Sequence, residues 1–173
     1  MDLSTARAAA HDFVLREAGF AQVTTIDGGG FPVARTMTAF LEPDWSVSLV
    51  QRAGHRRLDQ WRRDPHTLVT WVGTPAPGAS NERPHVFDLD LLPPRVVAVR
   101  GTATVMPADW TVAVYRREVT RQRAAGHTKA PLRTDEEVVA ELAGVRIVPV
   151  RVRLEGFGTG AESHLWTVGR ETS

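Results

Sequence analysis

The sequence predicts a single domain that is mainly β with a few helices, built around a small antiparallel barrel of six or seven strands. Three observations predict this fold class. Apolar residues recur at every second position in several short stretches, turns rich in glycine or proline separate those stretches, and only a few segments have helical composition. The chain has 173 residues and no linker divides it, so residues 1–173 are expected to form one domain.

The first part of the chain predicts one helix and three consecutive antiparallel strands. Leu3 to Ala18 has a helix-forming composition, with Ser4 as the expected N-cap. Phe20 to Ile26 and Phe31 to Leu41 alternate as strands do, and the Asp-Gly-Gly-Gly sequence between them favours a tight hairpin turn. A Glu-Pro-Asp turn then leads to a third strand, Trp45 to Val50.

The middle of the chain predicts a short helix between strands. Arg56 to Arg63 has the length and composition of a two-turn helix, which an Asp-Pro pair ends because the residue before proline avoids the helical conformation. Leu68 to Val72 and Arg95 to Met106 are predicted strands. Between them, Thr74 to Pro94 is too long for an ordinary loop, so a lid or an edge extension is expected there.

The last part of the chain predicts two helices and a long strand. Pro107 to Ala125 is the first helix, and a capping box of Thr134 with Glu137 begins the second. In the strand Val145 to Glu155 the apolar positions change parity at Pro149, which predicts a bulge or bend at that point.

Composition and motifs exclude several classes of protein. The 21 basic and 20 acidic side chains nearly balance, so no general attraction to nucleic acid or to an anionic membrane is expected. The chain has no cysteine, which excludes thiol chemistry and disulfides. The histidines lack the spacing of a metal site, and no serine lies in a nucleophile-elbow sequence. Without a secretory signal or an apolar span, a cytoplasmic protein is expected.

One conflict with local folding rules lies at Gly54, where the short helix begins. Acidic or hydroxyl residues are expected at a helix start, yet His55, Arg56 and Arg57 follow the glycine. A bound phosphate would make this arrangement favourable, because the guanidinium groups and the helix N-terminus both attract a dianion. The alternative is that Arg56 and Arg57 simply point into water.

A second conflict is Arg35. It shares an apolar face of its predicted strand with Val33 and Met37, where a cation needs a partner or an exit to water. If the strands pair in sequence order, the strand ending at Val50-Gln51-Arg52 brings the helix start beside Arg35, and one anion could bind all of these cations. Snorkelling of Arg35 at the barrel rim is the alternative.

The order and spacing of these motifs resemble the pyridoxamine 5'-phosphate oxidase-like family of flavin-binding proteins. The resemblance runs from Ala21 to Val105 and is weaker from Val145 to Glu155. Members carry an arginine on a strand, a Gly-Ser-Arg-Lys turn after the next strand, and a later Val-x-Gly-x-Ala strand. The matching segments here are Ala34-Arg35-Thr36-Met37-Thr38, Gly54-His55-Arg56-Arg57 and Val99-Arg100-Gly101-Thr102-Ala103.

The chain also departs from the family pattern. His55 replaces the serine of the turn and Arg57 replaces its lysine, while Phe40 replaces a basic residue that is often found there. Val96 stands where the true oxidases carry a glutamine that contacts the flavin. These departures argue against a housekeeping pyridoxamine phosphate oxidase.

The resemblance implies a Greek-key split β-barrel that holds FMN in a groove between the two subunits of a homodimer. Arg35, His55, Arg56 and Arg57 would bind the phosphate of the cofactor. The ribityl chain and the ring would be lined by Thr36, Met37, Thr38, Val50 and Gln51. Trp166 and Arg170 resemble the substrate-binding end of the oxidases, although Trp166 could equally serve only in packing.

The implied function is that of an FMN-dependent oxidoreductase acting on a small organic substrate. A reductase that uses the deazaflavin coenzyme F420 on the same fold is one alternative, and a flavin- or haem-binding protein without turnover is another. Hydride transfer through a flavin requires no protein nucleophile, so the sequence nominates no catalytic residue. The expected partners are the substrate and a second copy of the chain, with no nucleic acid and no membrane.

Overall fold

In a computed structural model, residues 2–80, 91–129, 132–158 and 163–168 are described. In this part of the chain, eight strands form one antiparallel sheet that four helices accompany, which confirms the predicted mainly β class. The elements in chain order are α1 (Leu3–Arg16), β1 (Ala21–Ile26), β2 (Pro32–Met37), β3 (Phe40–Leu41), β4 (Val47–Arg52), α2 (Arg57–Arg63), β5 (His66–Gly73), β6 (Arg95–Val105), α3 (Ala108–Ala124), α4 (Asp135–Glu141), β7 (Leu142–Glu155) and β8 (Ser163–Thr167).

The order of the strands forces the sheet to curl. Its order is β2-β1-β5-β6-β7-β4-β3, with β8 added beside β7. The strands β2 and β3 therefore lie at opposite edges of the sheet, yet only Thr38 and Ala39 separate them in sequence. The three steps from Met37 to Phe40 span at most about 11 Å, so the two edges must approach each other. The predicted strand Phe31 to Leu41 is divided at this point, which is one reason that the strand count exceeds six or seven.

The predicted irregularity in the last strand is present. The register between β6 and β7 shifts after Arg100, so that Arg100 lies opposite Arg151 while Gly101 lies opposite Pro149. A Cβ atom added at Gly101 would lie 2.2 Å from the carbonyl oxygen of Val148, a separation that no side chain tolerates. Gly101 is therefore required by the close approach of the two backbones at this bulge.

The inward faces of the strands and one face of α1 form the core. Phe13 of α1, Leu49 of β4 and Trp71 of β5 are all almost fully buried there. The N-cap of α1 is Asp2, whose carboxylate accepts a hydrogen bond from the amide of Thr5, so the prediction of Ser4 as the cap was wrong by two residues. The predicted capping box at the start of α4 is confirmed.

One segment with an open prediction is only partly described. Residues 81–90, in the middle of the stretch from Thr74 to Pro94, lie outside the described residues, so the choice between a lid and an edge extension stays a prediction. None of the helices in the described ranges is both long and apolar enough to cross a lipid bilayer.

Candidate functional site

The helix α2 packs against β1 and β6, and it carries the predicted site residue Arg57, with Arg56 as its N-cap. Leu58 and Trp61, three positions apart on one helix face, are buried against the strands. This packing fixes the orientation of α2. Arg57 at its first turn and Gln60 one turn later then lie close to β1 and β2, as the contacts below show.

Arg35 is held between β1 and α2. Its guanidinium Nη1 lies 3.3 Å from the hydroxyl oxygen of Thr25 and 3.3 Å from the side-chain oxygen of Gln60. The hydroxyl of Thr25 also donates to that oxygen of Gln60, at 2.8 Å. Both partners are neutral, so Arg35 is oriented by hydrogen bonds without having its charge balanced.

The reason that Arg35 lies near α2 differs from the predicted one. The sequence predicted three consecutive antiparallel strands, which would have paired the strand of Arg35 with β4. In the structure only the end of that predicted strand, β3, pairs with β4, whereas β2, which carries Arg35, pairs with β1. The cations meet because α2 folds back over the end of β1, a packing contact between elements that are distant in sequence.

His55 and Arg57 contact each other directly. A terminal nitrogen of the Arg57 guanidinium lies 2.5 Å from Nδ1 of His55. A guanidinium can only donate hydrogen bonds, so Nδ1 accepts one here and the imidazole is neutral. Burial lowers the pKa of His55, and so do the charges of Arg57, Arg52 and Arg35. Burial and the charge of Arg35 likewise lower the pKa of Arg57.

These residues form a positive cluster, defined here as Arg35, Arg52, His55 and Arg57, in which every charge that acts on His55 is positive. Within the described part of the chain, no carboxylate forms an ion pair with Arg35, Arg52 or Arg57. Guanidinium groups that face one another without an acid repel, and a bound anion would remove this repulsion.

The start of α2 contributes less to an anion site than its sequence suggested. The amides of Leu58 and Asp59 donate to the carbonyl groups of His55 and Arg56, at 3.0 and 3.1 Å, so these two amides are already paired. Arg56 itself is the N-cap, has helical backbone angles and is exposed. In a helix of only 7 residues, the guanidinium groups and not the helix dipole are the main source of attraction.

The residues predicted to line the ribityl chain and ring lie on two different faces, because successive strand residues point to opposite sides. Thr38 and Val50 line a cavity of about 240 Å³ together with side chains of α3, among them Tyr115 and Val119. Met37 is buried in the core. Thr36 is exposed, and its hydroxyl accepts a hydrogen bond from the Gln22 amide, at 2.8 Å.

Gln51, at the end of β4, is a buried amide without a partner. Its side chain is 6% exposed, and among the described residues neither its amide nitrogen nor its amide oxygen has a hydrogen-bond partner. Buried amides are normally paired, because an unsatisfied one costs about 1–3 kcal/mol. A polar group supplied from outside the chain would satisfy it.

Trp166 lies among aromatic side chains. Its ring meets that of Trp45 edge to face, with centroids 4.9 Å apart, and the guanidinium of Arg7 lies 4.3 Å from its centroid. This is the packing arrangement that the sequence left open as an alternative to substrate binding. Arg170, the other predicted substrate residue, lies outside the described residues.

Two residues of the site were not anticipated from the sequence. Thr25 is 1% exposed at the end of the inward face of β1, and Gln60 lies one helical turn after Arg57. The only available signal was a polar residue at an inward strand position, which by itself predicts a buried hydrogen bond and no particular partner.

No protein-family model matches the sequence, and no curated protein matches it. Solved structures do match in fold. A protein from Clostridium acetobutylicum related to general stress protein 26, of the pyridoxinephosphate oxidase family, has a TM-score of 0.58 at 8% identity, covering 97% of each chain. An F420 reductase has a TM-score of 0.53 at 15% identity, covering 80% of this chain and 91% of the other.

A haem-binding protein from Mycobacterium smegmatis has a TM-score of 0.61 at 16% identity. The match covers 96% of this chain but only 59% of that protein. Together these similarities show that the chain has the split-barrel fold of the pyridoxine phosphate oxidase-like proteins, as its sequence motifs predicted.

Proposed function

We propose that this split-barrel protein binds FMN through the positive cluster and is an FMN-dependent oxidoreductase that acts on a small organic substrate. The observation that carries the proposal is the convergence of Arg35, Arg57 and His55, with no carboxylate to balance them among the described residues. The phosphate of FMN is a monoester that carries close to two negative charges at neutral pH. A dianion reverses the sign of the electrostatic free energy in such a cluster.

A cavity next to Arg52 of the positive cluster can take the rest of the cofactor, because its lining includes Leu142, the strand partner of Arg52. The cavity at Thr38 and Val50 offers a partly apolar surface for a planar ring. When bound, FMN would supply a ring that accepts and donates hydride. Arg35 and Arg57 would hold the phosphate, and Thr25 and Gln60 would keep Arg35 in position for it.

F420 is the second candidate cofactor, and the fold shared with an F420 reductase supports it. The absorption spectrum of the purified protein tests the choice, because oxidised flavin, deazaflavin and haem have distinct bands. We expect a flavin spectrum, or uptake of FMN on titration. A protein that takes up none of the three would overturn the proposal, and haem alone would indicate a binding protein.

Titration with FMN and with riboflavin tests the role of the phosphate. Riboflavin lacks the phosphate, so we expect it to bind at least about 10-fold more weakly, which corresponds to one charge-assisted contact. Arg57→Gln should remove most of this preference. Arg62→Gln is the matched control, because Arg62 lies on the same helix and is already paired with Asp59. Equal affinities for the two ligands in the wild-type protein would contradict the proposed site.

Turnover separates an enzyme from a carrier. The FMN-loaded protein should oxidise a reduced nicotinamide or another hydride donor with bleaching of the flavin band, followed by reoxidation by substrate. A flavin band that stays unchanged with every donor would leave a storage or sensing protein as the correct description. We expect the protein to act in the cytoplasm.

We further propose that the protein is a homodimer. The outer face of the sheet exposes Leu68 and Val72 of β5 and Val148 and Val150 of β7, which are 38–58% exposed. A cavity of about 420 Å³ lies on the same face. Exposed apolar side chains rimmed by polar groups, here Arg100 and Thr102 of the intervening β6, mark an interaction site. Sedimentation at micromolar concentration should give a dimer, and Val148→Asp should shift it towards monomer. A monomeric wild-type protein would contradict this proposal.

A further inference from the structure

His55 is a histidine whose neutral state depends on the contact with Arg57. The imidazole Nδ1 serves as the hydrogen-bond acceptor for the guanidinium, at 2.5 Å. Among the described residues, the charged groups that act on His55 are Arg57 of α2, Arg52 of β4 and Arg35 of β2, and all three oppose its protonation. Arg57 is thus in contact with a neutral base, although it is the residue best placed beside Arg35 to bind an anion.

We propose that anion binding at the positive cluster draws Arg57 away from Nδ1 of His55, and that His55 then takes up one proton from solvent and joins the site as a cation. The inference rests on the proposed function for the identity of the anion as the phosphate of FMN. No other group changes its covalent state: one proton passes from water or buffer to Nδ1, and the guanidinium exchanges one acceptor for another.

The physical reason is that a bound anion counteracts the contacts and charges that keep the pKa of His55 low. Arg57 donates to phosphate in preference to imidazole, because a charge-assisted hydrogen bond to a dianion is stronger than one to a neutral nitrogen. The negative charge also offsets Arg35 and Arg52. Both changes raise the pKa of His55. By linkage, a group that gains a proton on binding makes the binding stronger as the pH falls from its bound-state pKa towards its lower ligand-free pKa.

The direction of the proton change identifies its source. A phosphate monoester has a second pKa near about 6, and contact with cations lowers that pKa, so the ligand itself releases protons on binding. His55 does the opposite. Net proton uptake near pH 7 can therefore not come from the phosphate, and a stronger affinity at pH 7 than at pH 8 is expected for the wild-type protein. The gain is limited to about tenfold per pH unit for one proton.

Two measurements test the inference on the full chain. The imidazole resonances of His55 followed by NMR give its pKa without ligand and with saturating FMN. Calorimetry of FMN binding at about pH 7, in two buffers of different ionisation enthalpy, gives the number of protons taken up. We expect a higher pKa of His55 in the complex and net uptake in the wild-type protein.

His55→Gln and His66→Gln form a matched pair of variants. The glutamine side chain in His55→Gln would still offer Arg57 an acceptor but cannot be protonated, so this variant should abolish the proton uptake and flatten the pH dependence of affinity. His66 is exposed and contacts Asp64, outside the positive cluster. His66→Gln should therefore leave the proton uptake and the pH dependence of affinity unchanged. An unchanged or lowered pKa of His55 in the complex, or proton uptake that survives His55→Gln, would overturn the inference.

The failure of the proposed function is distinguishable from that of the inference. If FMN does not bind, the proposed function is wrong, and inorganic phosphate then decides the inference by the same NMR titration. A raised pKa of His55 in phosphate compared with chloride at equal ionic strength supports proton uptake on anion binding, whereas an equal pKa in the two salts overturns it.

Discussion

Two groups of arginines in this protein differ in how their charges are balanced. Around a cavity of about 500 Å³ between α1 and α3, Arg117 lies 2.7 Å from Glu42 and 3.0 Å from Glu118. Arg121 also lies 2.7 Å from Glu118. In this paired cluster every guanidinium has a carboxylate. In the positive cluster none does, within the described residues, and Arg57 contacts a neutral imidazole.

This difference in charge balance separates arginines that stabilise the fold from arginines that are available to bind a ligand. A paired guanidinium contributes to stability and has little to gain from an anion, even where it lines the larger cavity. Unpaired guanidinium groups that face one another lower the stability of the ligand-free protein, and that penalty is removed on anion binding. Cavity size by itself would have directed attention to the paired cluster. The absence of balancing carboxylates among the described residues points instead to the positive cluster.

The largest expected effect is the loss of FMN affinity when charges are reversed at the start of α2, where the positive cluster lies. Arg56→Glu combined with Arg57→Glu replaces attraction for the phosphate by repulsion, so the affinity should fall by about 100-fold or more. The thermal stability of the cofactor-free protein should be unchanged or higher, because repulsion with Arg35 is relieved. Fluorescence titration and a melting curve on the same sample measure both. Unchanged affinity would refute the assignment of the site.

The second expected effect is a loss of stability in the paired cluster. Glu118 is 7% exposed and contacts two guanidinium groups, so Glu118→Gln leaves both without their shared charge. Because the two arginines are nearly half exposed, the loss should be about 1–2 kcal/mol and below that of a fully buried pair. Denaturant unfolding measures it. A loss of less than about 0.5 kcal/mol would contradict this account of the paired cluster.

A smaller effect is expected from pH on the cofactor-free protein. Burial lowers the pKa of His11, and burial with three arginines lowers that of His55, both from 6.5. Below pH 6.5 the unfolded chain therefore binds more protons than the folded one. The free energy of unfolding should therefore be highest above pH 6.5 and decrease as the pH falls below that value. Combined His11→Gln and His55→Gln should weaken this dependence in melting curves. A wild-type protein that is equally stable above and below pH 6.5 would contradict the lowered pKa of these two histidines.

The smallest expected effect concerns the glycine beside the positive cluster. A Cβ atom at Gly54 meets no heavy atom within 4 Å, and the backbone there is not left-handed. Gly54→Ala should therefore change the free energy of unfolding by no more than about 0.5 kcal/mol. Gly101→Ala, which places a Cβ against the backbone of Val148, should destabilise strongly in the same assay. A large loss of stability from Gly54→Ala would show that this turn is needed for the fold itself.

The sequence by itself determined the local features of this protein. Period-two alternation located β1, β5 and β6, and the parity change at Pro149 located the bulge, because each depends on residues that are adjacent in the chain. The capping box of α4 was predictable for the same reason. Arg35 and His55 also stood out as residues that their local surroundings do not explain.

The tertiary structure alone decided which of those residues meet. Sequence order suggested that the strand of Arg35 would pair with β4. In the structure β2 pairs with β1 instead, and α2 packs over β1. The hold of Thr25 and Gln60 on Arg35 follows from that packing, and the burial of Gln51 follows from the pairing of β4 with β7. Alternation and capping are set within a few residues of chain, but strand pairing and helix packing are set by which apolar faces can be buried together, and that depends on the whole molecule.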